Sequence, residues 1–267
     1  AQRSRRDYEE LQDKTNADGI ITGFCSINSA LIGEEDAKAV AIIYDYSVLA
    51  GTQGFFHHAK LDRICEQAKK FNLPVVIFTE GGGGRPGDTD VLTQIAGLHI
   101  PSFSSWAQLT GTCLKIAVNN GYCFAGNAVL FGCADFKIAT KDSWIGMAGP
   151  AMIEGGGLGT FEPKEIGPIE VQQKNGVVDY VAKNEEEASI IAKQLLAYFQ
   201  GPIKEFTFSG QDQLREMMPD DRRYTYEIRD IIGTIADADT FLELRSQYGK
   251  SIVTGFIRIE GKPFALL

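Results

Sequence analysis

Pro74-Val75-Val76-Ile77-Phe78-Thr79-Glu80-Gly81-Gly82-Gly83-Gly84-Arg85 sets a short apolar run almost directly against four consecutive glycines. The run has the length and β-branched content of a buried strand. The glycines after it are nearly bare backbone, and without Cβ atoms their amide N–H groups can come close to a ligand. The stretch therefore predicts a strand that opens onto an anion-binding turn or an oxyanion hole, extended by Pro86-Gly87-Asp88. A P-loop is disfavoured, because no Gly-Lys-Ser/Thr follows Gly81.

About forty residues further on lies a second small-residue turn, Val118-Asn119-Asn120-Gly121-Tyr122-Cys123-Phe124-Ala125-Gly126-Asn127-Ala128, running into Phe136-Lys137-Ile138-Ala139-Thr140. Its reading is strand, turn, helix start and a further strand. Small side chains at Ala125 and Gly126 would leave the first N–H groups of that helix accessible. Two sources of backbone donors, Gly82-Gly83 and Gly126, could converge on one oxygen.

The surrounding chain alternates strands with helices. Val40–Tyr44 is of strand type, and His57–Phe71 carries Leu61, Ile64, Ala68 and Phe71 on one helical stripe. Leu114, Ile116 and Val118 alternate, Ala125–Cys133 suits a helix, and Phe136–Ala139 returns as a strand. Asn184 with Glu187 three residues on predicts a capping box, opening a helix with Ala188, Ile191, Ala192, Leu195 and Phe199 inward and ending at Gly201-Pro202. The class is α/β with crossovers.

At 267 residues and 44% hydrophobic content the chain can fill one large or two modest cores. A net charge of −9 argues against nucleic acid or an anionic membrane as partner, since either would demand a basic face. Cys25, Cys65, Cys113, Cys123 and Cys133 are odd in number, sit in apolar segments and form no Cys-x-x-Cys pair, which reads as reduced, buried thiols. No apolar stretch is long enough to span a bilayer, and the first residues lack a signal-peptide core. Cytoplasm is the simplest address, with the mitochondrial matrix also compatible.

A faint repeat organises the chain: Ile20-Ile21-Thr22-Gly23-Phe24-Cys25-Ser26-Ile27 returns as Ile252-Val253-Thr254-Gly255-Phe256-Ile257-Arg258-Ile259, at an offset of 232 residues. A period of that size means a repeated domain rather than a solenoid. The expected division is residues 15–200 as a first domain, the polar stretch 201–230 as a linker, and 231–267 as the beginning of a second copy. Pro263–Leu267 has the look of a core strand, so the expectation is that the second copy is truncated here, the sequence being a fragment, or that a separate chain completes it.

Ala117–Ala139 resembles the crotonase superfamily, whose pattern is Ala-Val-Asn-Gly-Tyr, three small residues, then Ala-Cys-Asp and a strand. Within it the chain is similar to the carboxyltransferase component of biotin-dependent acyl-CoA carboxylases. The matching segments are Asp18–Gly23, Asp45–Gly51, His57–Lys60, the glycine run with Arg85, Asn175–Asp179 and Tyr226–Ile232, nearly the whole chain. The resemblance implies a crotonase-like ββα superhelix that binds acyl-CoA, followed by the start of a homologous second domain. It also implies carboxybiotin on a carrier domain, a biotin carboxylase partner, a dimer-based hexamer, and an active site shared between halves of different protomers. No metal is expected in this domain.

The implied chemistry suits the glycines. Removing a proton α to a thioester leaves an enolate whose charge rests on the thioester oxygen, and fixed backbone N–H donors stabilise it. By match to the family turns, Gly82, Gly83 and Gly126 are the expected oxyanion residues. Gly81, Gly84, Arg85, Lys60, Ala125 and Asn127 are the expected cofactor contacts. The place of the hydratase glutamate is taken by Val129, which cannot move a proton, so hydration by the usual route is disfavoured. A decarboxylase subunit running the reverse transfer and a noncatalytic assembly domain are the alternatives.

Several residues have a structural reading beside the functional one. Arg85 could hold a CoA phosphate or pair with an acidic neighbour, and Lys60 could contact CoA or be solvated. His57 and His58 are adjacent and point roughly 100° apart on a helix, which disfavours joint chelation. His99 with Ser102, Ser104 and Ser105 hints at a hydrolase, but no Gly-x-Ser-x-Gly elbow exists. Gly155-Gly156-Gly157 is expected as a loop near the acyl pocket or a simple linker.

Overall fold

The computed structural model describes residues 6–85, 100–221 and 223–267, and its chain divides into two compact units. The first comprises residues 1–26 and 38–192, the second residues 27–37 and 193–267. The expected strand alternation appears in the first unit as a six-stranded sheet in the order β1-β2-β3-β4-β6-β8. These strands are β1 (Ile20–Ser26), β2 (Lys38–Tyr44), β3 (Val75–Phe78), β4 (Lys115–Asn119), β6 (Phe136–Thr140) and β8 (Tyr180–Ala182). Only β1 runs antiparallel, on β2; every other pair is parallel. A second layer pairs β5 (Tyr122–Phe124) in parallel with β7 (Trp144–Gly146). The sequence reading folded β5 into the turn, because three residues are too few for an alternation to show.

The helices of this unit are α1 (Tyr8–Lys14), α3 (Phe55–Phe71), α4 (Ser102–Ala107), α5 (Gly126–Gly132), α6 (Pro150–Gly155), α7 (Ile169–Gln172) and the opening of α8 (Glu185–Gln200). Helix α3 carries the crossover from β2 to β3. Its Leu61, Ile64, Cys65 and Ala68 join Val40, Ile42, Val75, Ile77 and Ala117 in one core. It stops at Asn72, whose left-handed φ of 51° suits a short polar side chain at a helix C-terminus. Strand β4 is buried along its whole length, Lys115 included. Burial lowers the Lys115 pKa, and its Nζ donates to Thr110 Oγ1 (2.7 Å) and the Cys133 carbonyl (2.8 Å).

The second unit holds α2 (Ser29–Ile32), α9 (Leu214–Met217), α10 (Ile228–Ile235) and an antiparallel sheet β11-β10-β9. Its strands are β9 (Leu242–Leu244), β10 (Thr254–Ile259) and β11 (Lys262–Leu266). The two copies of the repeat thus form strands, β1 and β10, each paired antiparallel with the strand that follows it. Arg258, 3% exposed, donates to the carbonyls of Ala197, Gly201 and Gly261 and lies over the Tyr198 ring. Much of the stretch read as a linker packs inside this unit: Ile203 N–H donates to Gly261 O, Ala238 N–H to Thr207 O, and Gln211 Nε2 to Thr234 O.

Candidate active site

Strands β3 and β4 run parallel as neighbours, Phe78 beside Val118, and so deliver both small-residue turns to the carboxyl end of the sheet. The turns are tied together there. Gly81 N–H donates to Tyr122 O (2.7 Å) and Phe124 N–H returns to Gly81 O (2.9 Å). A Cβ built on Gly83, whose φ is 90°, would lie 2.6 Å from Ala125 Cβ and 3.3 Å from Gly126 N. One built on Gly126 would lie 2.2 Å from Gln53 Oε1 and 3.1 Å from Phe103 Cζ. Glycine is needed at both because the turns touch each other and their supports.

The hydrogen bonds change which amides are open. Gly82 N–H donates to Ala50 O (3.1 Å) and Gly83 N–H to Asn127 Oδ1 (3.0 Å), so the two donors expected from this run are committed inside the fold. The amide of Gly84 has no acceptor among the described residues, and a Cβ on Gly84 would meet nothing within 4 Å. Gly126 N–H, at the first position of α5, also lacks an acceptor among the described residues, whereas Ala125 N–H donates to Gly146 O (3.1 Å). Ala125 itself has φ 48° and ψ −118°, a conformation that costs an alanine energy and that clusters at functional sites.

The other expected contacts are placed as struts. Asn127 is fully buried; its Nδ2 donates to Thr79 O (3.0 Å) and Gly51 O (3.3 Å) while its Oδ1 takes the Gly83 amide. Arg85, 3% exposed, pairs with Asp18 Oδ1 and donates to Thr52 Oγ1 (3.2 Å) and Thr52 O (2.8 Å). The acidic-neighbour reading of Arg85 is the one this geometry matches. Lys60, half-buried, donates from Nζ to Ala17 O (2.8 Å) and Ile20 O. All three groups satisfy neighbouring backbone or counter-charge within the fold. Pro86–Asp88 and His99 lie outside the described residues.

His57 and His58 are both buried on α3, their rings 6.0 Å apart, and each leaves a buried Nε2 without a partner. Burial pushes the His57 imidazole down to about 3 and the His58 imidazole down to about 4. His58 Nδ1 meets Ser102 Oγ at 2.9 Å, so the serine faces α3. Among the described residues no group of three or more His, Cys, Asp or Glu could hold a metal. Sequence reasoning passed over Glu80, the residue before the glycine run: desolvation, with Glu185 nearby, raises its carboxyl to about 7. A carboxylate next to an otherwise uncharged turn was the available signal.

Comparisons with known proteins agree on one family. A family model described as "Carboxyl transferase domain" matches residues 3–267. The methylmalonyl-CoA carboxyltransferase 12S subunit of Propionibacterium freudenreichii subsp. shermanii is 27% identical over 94% of this chain and 48% of its own. The propionyl-CoA carboxylase beta chain of Roseobacter denitrificans is 25% identical over 96% of this chain and 50% of its own. Among solved structures, a single-chain, multi-domain long-chain acyl-CoA carboxylase is 48% identical with a TM-score of 0.94, over 99% of this chain and 26% of that one. The transcarboxylase 12S hexamer with hydrolysed methylmalonyl-CoA bound is 26% identical with a TM-score of 0.77. The chain spans about half the length of the curated relatives it matches.

Proposed function

The chain belongs to the carboxyl transferase domain family, and from that premise we propose that it is the acyl-CoA-binding part of a biotin-dependent acyl-CoA carboxylase. The reaction is transfer of a carboxyl group from carboxybiotin to the α-carbon of the acyl-CoA. The observation that carries the reading is a pair of amides, Gly84 and Gly126, that have no acceptor among the described residues and stand on turns bonded to each other at the carboxyl end of the sheet.

Their role is electrostatic. As the α proton leaves, charge moves onto the thioester oxygen, and an amide fixed in advance gains strength as that charge develops. One such donor typically lowers the barrier by about 3 kcal/mol. Gly82 and Gly83 contribute by being tied down, which keeps the open amides from rearranging when charge appears. Carboxybiotin, when bound, supplies the carboxyl group and, once relieved of it, a site for the α proton. No side chain at Val129 can take that proton, and the two amides need none to hold the enolate. The biotin contacts are assigned to a following homologous domain, of which residues 231–267 form the opening, and the full enzyme is an oligomer working with carrier and carboxylase partners.

A long acyl chain is the favoured substrate class. The 48% identical neighbour is a long-chain acyl-CoA carboxylase, and the segment that leaves Gly146, the residue bonded to Ala125, exposes Met147, Met152, Leu158 and Phe161. The test uses the full-length enzyme with its carboxylated carrier and palmitoyl-, propionyl- and acetyl-CoA as acceptors. Transfer is expected fastest to palmitoyl-CoA. Gly126→Val, whose side chain meets Gln53 Oε1 and the Phe103 ring, is expected to abolish transfer in protein that still assembles; normal turnover in that variant overturns the reading.

A further inference from the structure

Gln53 touches both turns, and nothing in the chemistry so far uses it. Its backbone forms an isolated parallel bridge across Gly84: Gln53 N–H donates to Gly83 O (2.7 Å) and Arg85 N–H donates to Gln53 O (2.8 Å). A bridge of this kind binds the residues on either side of Gly84 and leaves the Gly84 amide facing away from Gln53. The side chain reaches the other turn. Its Oε1 occupies the space where a Cβ on Gly126 would sit, 2.2 Å from that position.

The carboxamide is itself held. Gln53 is 1% exposed, and its Nε2 donates to Tyr44 Oη at 3.1 Å. Tyr44 stands at the end of β2, buried, with its ring edge-on to His57 at 4.4 Å. Burial raises the Tyr44 pKa, so the phenol stays protonated. A buried amide is costly unless it is bonded, and an apolar side chain of the same length would fill this space with no polar atom to satisfy. A glutamine here is therefore explained by where it points rather than by the stability it adds.

We infer that Gln53 is a positioning residue, which fixes the Gly84 and Gly126 amides in one relative geometry, with Tyr44 holding its carboxamide in place. The inference rests on the oxyanion reading given above. A donor pair displaced by about 1 Å loses on the order of a hundredfold in rate while leaving substrate binding largely intact.

The experiment measures carboxyl transfer to palmitoyl-CoA by the full-length enzyme in Gln53→Met, Tyr44→Phe and the double variant, with Gly126→Val alongside. Expected is a fall in kcat of about ten- to a hundredfold in Gln53→Met, a smaller fall in Tyr44→Phe, and KM within about twofold of wild type in both. The double variant is expected to be no slower than Gln53→Met, because both changes break one contact. Unchanged kcat, a rise in KM with kcat held, or multiplicative losses in the double variant would each overturn the inference. Should Gln53→Met fail to assemble, Tyr44→Phe decides alone, assayed at a temperature where its melting curve shows it fully folded: slower turnover with KM within about twofold of wild type supports positioning, and wild-type turnover refutes it. If Gly126→Val turns over normally, the oxyanion reading fails; if it is dead while Gln53→Met is fully active, only the positioning role fails.

Discussion

At Gly83 and Gly84 two neighbouring glycines do different work. An alanine at Gly83 must adopt a φ of 90° with its Cβ 2.6 Å from that of Ala125, whereas an alanine at Gly84 meets nothing. Gly83→Ala is expected to lower stability by about 2 kcal/mol or more, and Gly84→Ala by well under about 1 kcal/mol. Parallel urea melts of the two variants check this, and equal midpoints would contradict the packing described. Asp18 is the counter-charge of the buried Arg85 and also accepts the His57 N–H at 2.7 Å. Asp18→Asn leaves a guanidinium buried without its anion and is expected to cost about 3–5 kcal/mol in the same melts. That the run is glycine-rich because backbone must come close was legible in the sequence. Which amides remain open was not, since the acceptors of Gly82 and Gly83 come from Ala50 and Asn127, more than thirty residues away in either direction.

Helix α3 shows how an element's pattern translates into energy. Leu61 is fully buried against the sheet, and Leu61→Ala is expected to destabilise by about 2–5 kcal/mol, read from thermal or urea unfolding. Helix α8 opens as its sequence predicts, with Glu187 N–H donating to Asn184 Oδ1 at 2.9 Å. The return half of the capping box differs: Glu187 Oε2 accepts from Lys183 N–H (2.6 Å) instead of from Asn184. Asn184→Ala is accordingly expected to cost about 1 kcal/mol, and Asn184→Asp much less, by the same measurement. The long helices and the parallel strands could be read from periodicity because each spans enough residues for a pattern. Strand β5 and the supports of the turns could not, being short and held by tertiary bonds.

Across the whole molecule, the two neutral imidazoles on α3 predict a pH dependence with a definite sign. In the unfolded chain they take protons near 6.5; in the fold, burial holds them near 3 and 4. Between those values the unfolded chain binds protons that the folded chain refuses. Their contribution is therefore complete above about pH 6.5 and declines as pH falls towards 4, by at most about 1.4 kcal/mol per pH unit for each imidazole. Unfolding free energies between pH 7.5 and 5 check it, and a flat profile for wild type that matches His57→Phe/His58→Phe would count against it. Glu80 acts in the opposite sense: raised to about 7, it weakens the fold as pH climbs from 4.5, so Glu80→Gln is expected to stabilise at pH 8. By itself the sequence determined the α/β class, the two glycine turns and the internal repeat, because hydrophobic period, bare backbone and self-similarity are written along the chain. Only the tertiary structure decided that the Gly84 and Gly126 amides have no acceptor among the described residues, that Arg85, Lys60 and Asn127 bond to neighbouring backbone and counter-charge, and that Gln53 touches both turns. Those assignments depend on which backbone groups meet across loops, and a hydrogen-bond partner distant in the chain leaves no local trace.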